Sequence, residues 1–235
     1  MKFILLSFCL TFFSIVTNAQ SKRKADMKKF IFHSHGMSFQ KFENLNKRVA
    51  AYPQFEQPKN TTGTFQFGRF AERKRLISVL SINGGSSLSG NREKKSTSTS
   101  YFGLSADVGY NLLKSSRVSL YPFAGLGSET YKVNFNRDAS SVPFDSVLLS
   151  SNFQQRVENL VFNNSFIVYR LGAGMFVTSR KHVQNSIGLQ VGYTGGFSPQ
   201  EWKINTSQTL LNSPKDELSK IAVSILIRYQ LKPKN

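Results

Sequence analysis

From residue 218 to residue 231 the chain alternates without a break. Ile221, Val223, Ile225, Ile227 and Tyr229 take one side, and Lys220, Ala222, Ser224, Leu226, Arg228 and Gln230 take the other. Side chains that alternate with a period of two belong to a β-strand, because successive Cβ atoms point to opposite faces of the pleat. The pattern recurs in 185–197, where Ile187, Leu189, Val191 and Tyr193 oppose Ser186, Gly188, Gln190, Gly192 and Thr194. It recurs again in 99–112, with Phe102, Leu104, Ala106, Val108, Tyr110 and Leu112 against Gly103, Ser105, Asp107, Gly109 and Asn111. A helix would scatter Asp107 and Val108 over drifting faces and leave no polar stripe.

Two further strands are expected at 117–131 and 162–178. The first sets Val118, Leu120, Pro122, Ala124 and Leu126 against Gly125, Gly127 and Glu129; the second sets Ile167, Tyr169, Leu171, Ala173, Met175 and Val177 against Arg170, Gly172 and Gly174. Pro122 weakens the first, since proline donates nothing to a ladder. Three more strands are expected at 29–40, 63–71 and 75–88, with their facing unassigned.

Residues 1–19 read as a secretory leader. Lys2 precedes the apolar run 3–16, and Thr17-Asn18-Ala19 supplies a small-residue exit. The run is too short to span a bilayer as a helix, which takes roughly 20 residues. Cys9 is the sole cysteine and lies inside the leader. The mature chain from Gln20 onward is therefore expected to hold no disulfide, Cys-ligated metal or Cys nucleophile. After Val16 no apolar stretch reaches transmembrane-helix length, so residence in a membrane requires a closed barrel, which satisfies every backbone group internally.

The connections favour that barrel. Their expected bounds alternate long (41–62), short (72–74), long (89–98), short (113–116), long (132–161), short (179–184) and long (198–217). An outer-membrane barrel sorts its loops this way, with long loops outside, short turns in the periplasm and an even strand count. The expected fold is all-β: an eight-stranded antiparallel up-and-down transmembrane barrel filling residues 20–235, in the outer membrane of a Gram-negative cell.

The glycine-punctuated strands 101–110, 171–176 and 187–197, with the alternating last strand, resemble the small outer-membrane β-barrel domain family that includes the OmpA- and OmpX-like barrels. The resemblance covers nearly the whole mature chain and implies assembly by the barrel insertion machinery. One departure is that such barrels end on an aromatic residue, whereas Tyr229 is followed by Gln230-Leu231-Lys232-Pro233-Lys234-Asn235. A short periplasmic tail accounts for it.

Lys and Arg number 31 against 13 Asp and Glu, for a net charge of +18. For an exported chain this points away from nucleic acid and toward phosphate-bearing outer-membrane lipids and lipopolysaccharide. The expected short turns and their flanks are basic as well, with Arg73, Lys74, Lys114, Arg117, Arg180 and Lys181. Eight strands leave room inside only for side chains, and the inward residues Asp107, Glu129, Arg170, Lys220 and Arg228 predict a polar, charge-paired interior.

No catalytic, cofactor or metal site emerges. His33 and His35 share a strand face without an evident acidic partner, and His182 falls in a basic turn. Gly85-Ser86-Ser87-Leu88-Ser89-Gly90 approaches a G-x-S-x-G elbow but has serine in the place of the last glycine. Asp145 is a candidate cap for a short helix in the longest loop, and Trp202 and Phe197, in or beside the last loop, either anchor at the lipid interface, the preferred reading for Trp202, or contact a partner. The leading reading is a non-enzymatic barrel with a plugged lumen and a structural or loop-mediated interaction role. A narrow channel or secretion-system subunit, a lipid-modifying enzyme and a soluble exported barrel remain as rivals.

Overall fold

The computed structural model describes residues 27–90, 95–115, 117–136, 144–149, 152, 159–178, 185–204, 208–209 and 211–231. The expected leader and His182, with Arg180 and Lys181 beside it, lie outside the described residues. The elements run β1 (Met27–Gln40), α1 (Glu43–Ala50), β2 (Thr61–Arg73), β3 (Leu76–Gly90), β4 (Ser96–Tyr110), β5 (Val118–Asn136), α2 (Phe144–Leu149), β6 (Leu160–Thr178) and β7 (Asn185–Gly196). Four two-residue strands follow, β8 (Gln200–Glu201), β9 (Lys203–Ile204), β10 (Gln208–Thr209) and β11 (Lys215–Asp216), before β12 (Ser219–Gln230).

Strands β1 to β7 pair antiparallel in chain order, and β12 pairs with β7 on one side and β1 on the other. The eight long strands thereby close into a barrel. Among the described residues no helix is long and apolar enough to cross a membrane. The small strand β9 adds to the free upper part of β6 at Phe162↔Ile204, β10 adds to β9, and β8 pairs with β11 above the mouth.

The facing expected from alternation holds from β4 onward. On β4, Phe102, Leu104, Ala106, Val108 and Tyr110 point outward, while Tyr101, Ser105 and Asp107 are buried inside. These outward residues span nine positions, which on a tilted strand is a belt of about 20–25 Å, the height of a bilayer's apolar slab. Above it the outer wall turns polar, with Ser128, Thr130 and Lys132 exposed on β5 and Ser165 on β6. The long-loop end thus rises clear of the belt as a crown.

The first three strands also take a definite facing. His33, His35, Met37 and Phe39 point outward from β1, Phe65, Phe67 and Arg69 from β2, and Leu76, Leu80 and Ile82 from β3. Their inward sides carry Phe30, Phe32, Phe70 and Ile77. With apolar residues on both faces, alternation loses its contrast there.

Pro122 is accommodated because the β4–β5 register ends at Gly109↔Phe123, beside it, while pairing to β6 continues through Pro122↔Ala173. The ladder between β3 and β4 persists up to Gly90↔Ser96, so that connection shrinks from the expected 89–98 to 91–95. The Ser- and Thr-rich segment there is strand because its polar side chains face the crown rather than lipid.

Candidate functional site

The barrel interior and its cover are filled in three tiers, starting from the short-turn end. Inward residues Phe30, Phe32, Phe70, Ile77, Tyr121, Phe123, Phe176 and Leu226 form a buried aromatic layer. Arg228 sits within it, its guanidinium carbon 4.1 Å from the Phe176 ring centroid, 4.4 Å from Phe30 and 5.1 Å from Phe70. Its Nε and Nη1 have no hydrogen-bond partner among the described residues. Arg228 makes no close ion pair among the described residues: rings from β1, β2 and β6 hold it by cation–π attraction, and the inward-facing Glu72 adds a longer-range attraction. Gly174 makes room for the layer, since a Cβ there would run into the Tyr121 ring and hydroxyl.

The middle tier is the charge-paired layer that the sequence predicts. Arg170 Nη1 donates to Asp107 at 2.8 Å and also to Ser105. Ser105 shares a 2.8 Å hydrogen bond with Ser81, which accepts one from the Gln66 amide at 2.7 Å. Lys220 Nζ donates to both Glu129 carboxylate oxygens at 2.6 Å, and the Tyr131 hydroxyl donates to the same carboxylate at 2.8 Å. Lys220 also stands 4.1 Å from the Tyr101 ring centroid. A cavity of about 50 Å³ lies among these groups, lined by Gln66, Asn83, Tyr101, Glu129, Arg170 and Lys220. Such buried charges persist because each carboxylate has a cation, and Glu129 also the Tyr131 hydroxyl.

The upper tier is a folded cover that the sequence reading did not foresee. Phe42, Leu45 and Val49 of the α1 segment bury against Tyr101, Tyr131, Val133, Phe135, Phe166, Val168, Trp202 and Leu218. Their spacing, one residue every three to four, is a helical signal in the sequence, but α1 is only 8 residues long. Asp216, 2% exposed, fastens the cover. Its carboxylate accepts the Asn44 amide at 2.8 Å, the Leu45 amide at 3.1 Å and the Trp202 indole N–H at 2.8 Å. A carboxylate there satisfies free N–H groups of the helix start and meets the positive end of its dipole.

Trp202 corrects the expectation of a lipid anchor: it is 0% exposed and lies in the cover. Phe197, by contrast, is 60% exposed. Asp145 lies inside the first turn of α2, one residue past its start. His33 and His35 face outward with ring centroids 5.8 Å apart. Among the described residues no cluster of three His, Cys, Asp or Glu is placed to hold a metal. The Gly85–Gly90 segment is plain strand, paired residue by residue with β4.

No sequence profile of a known protein family matches the chain, and no curated protein matches it. Solved structures do. A major outer membrane protein from Thermus thermophilus superposes with a TM-score of 0.54 at 12% identity, over 88% of this chain and 100% of that one. Neisserial surface protein A superposes with a TM-score of 0.50 at 9% identity, over 86% of this chain and 97% of that one. At such identities the likeness concerns the fold, and the apolar belt around a closed barrel supplies the physical reason for it. The chain is an outer-membrane β-barrel protein with the architecture of the small, eight-stranded OmpA/OmpX-like barrels.

Proposed function

We propose that this protein is a non-conducting outer-membrane barrel whose ordered crown serves as an interaction platform at the cell surface, with no catalysis of its own. The observation that carries the reading is the cover. Side chains from the first and last long loops form one buried core around Trp202, tied by Asp216. Loops that merely connect strands need no such core, whereas a surface that must hold a shape for a partner does. Below the cover, the charge-paired and aromatic tiers leave little continuous space, which supports a plugged lumen.

The outward face of α1 carries Lys47 and Arg48, both exposed. Their charge suits phosphate-bearing partners, with lipopolysaccharide of the surrounding leaflet the nearest of them. The test is electrical. Purified, refolded protein in planar bilayers is expected to give no stable current steps; steady porin-sized steps would overturn the plugged-lumen reading.

A further inference from the structure

We propose that the short-turn end bears a binding site for the phosphate of an anionic phospholipid, built by Lys29, Arg69 and Arg73 on the outer wall of β1 and β2. The three residues share the lipid-facing side of their strands. The register sets Met27 opposite Arg73, Lys29 opposite Ala71 and Ile31 opposite Arg69. Lys29 is therefore diagonal to both arginines, at about 7–8 Å between backbones. The small side chain of Ala71 lies between the two arginines on that wall and takes up little of the space between them.

Around Lys29 and Arg69 this wall is otherwise apolar or small. Their outward neighbours on β1, β2 and β3 are Ile31, Phe67, Ala71, Ser78 and Leu80, none of them acidic. The acid nearest in sequence, Glu72, belongs to the inward face, where the Asn111 side-chain amide donates to it at 3.0 Å. On the β3 side the Arg75 guanidinium lies 5.9 Å from the ring centroid of outward-facing Tyr110. At the other end of the belt the outward wall of β5 and β6 holds Ser128, Thr130, Ser165 and the cation Lys132.

The position of the triad selects a lipid rather than a soluble anion. Phe67, Leu76 and Leu80, each more than half exposed, flank it on the same wall and offer an acyl chain its apolar surface. Arg69 stands four residues up the strand from Arg73, on the wall and not at the turn tip. Long basic side chains in such places lay their stems on apolar surface and send the head toward the interface. A lipid phosphate meets them there with its tails already alongside the barrel.

The experiment uses full-length protein refolded into phosphatidylcholine bilayers with spin-labelled lipids, measuring the selectivity of the motionally restricted shell. Wild-type protein should select phosphatidylglycerol over phosphatidylcholine about fivefold or more, since one basic side chain at an anionic surface is worth about that factor. K29Q/R69Q/R73Q should bring the ratio close to one, and R69K/R73K should keep most of it. K132Q should leave it unchanged, and excess inorganic phosphate should not displace the lipid. Should the triple variant fail to fold, R69Q alone must still lower the ratio measurably. The proposal is overturned if wild type shows no preference, if folded K29Q/R69Q/R73Q keeps it, if R69Q leaves it unchanged, if K132Q lowers it equally, or if inorganic phosphate competes as a soluble ligand would.

Discussion

Replacing Lys220 by methionine tests the middle tier most directly. Lys220 and Glu129 side chains are 4% and 3% exposed, with Nζ 2.6 Å from the carboxylate. At that separation the gross attraction is on the order of 6 kcal/mol for an effective dielectric of about 20. Desolvation of both ions offsets much of it, so the pair itself adds little to stability. Removing one partner is different, because Glu129 then stays buried with the Tyr131 hydroxyl as its remaining side-chain donor among the described residues. Lys220→Met should therefore cost about 3–5 kcal/mol, while Lys220→Met/Glu129→Gln, with no stranded charge, should lie within about 1 kcal/mol of wild type or above it. Equilibrium urea unfolding in lipid vesicles measures both, followed by Trp202 fluorescence and by the mobility of unheated samples on gels. A loss below about 1 kcal/mol for Lys220→Met, or a double variant as unstable as the two single losses added together, would refute the argument.

Asp216→Ala removes the acceptor for two α1 amides and the Trp202 indole. It should weaken the cover by about 2–4 kcal/mol, seen as a red shift of Trp202 emission while unheated gel mobility stays that of a closed barrel. Ile225, 56% exposed to lipid, should tolerate arginine poorly, at about 2–4 kcal/mol, whereas the inward change Ser224→Thr should be nearly silent in the same unfolding assay. Lys74 turns the β2–β3 hairpin with φ at 58°. Lys74→Gly should raise the urea midpoint, by up to about 1 kcal/mol of relieved strain, and an unchanged or lower midpoint would count against that strain.

The sequence is most legible where one face of a strand is apolar and the other polar. In β4, β7 and β12 small or charged residues such as Ser105, Gly188 and Lys220 oppose Leu104, Leu189 and Ile221, and the facing read from alternation is the facing found. In β1 to β3 the inward aromatics of the lower tier erase that contrast. The Asp107–Arg170 and Glu129–Lys220 pairs were readable as a set of inward charges, though not as pairs, because strand register decides who meets whom. Arg228 carried the same signal and met Phe30, Phe70 and Phe176 instead. Trp202 and Asp216 lay beyond reach, for their burial depends on a helix contributed from the other end of the chain.

The cover sits over the seam where the barrel closes. Gln40, at the top of β1, faces Lys220, near the start of β12. Asn44 lies four residues past the first and Asp216 four residues before the second. Along the chain Asn44 and Asp216 are 172 residues apart, a loop whose closure is costly by itself. Once β12 zips onto β1, that separation collapses to a short bridge and the effective concentration of carboxylate at the helix start rises steeply. The bond between them thus acts as a clasp that forms only after closure and then resists its reversal. Fraying of the first and last strands at their upper ends must first undo the clasp and expose Trp202, so the protein carries its own optical reporter of a completed barrel.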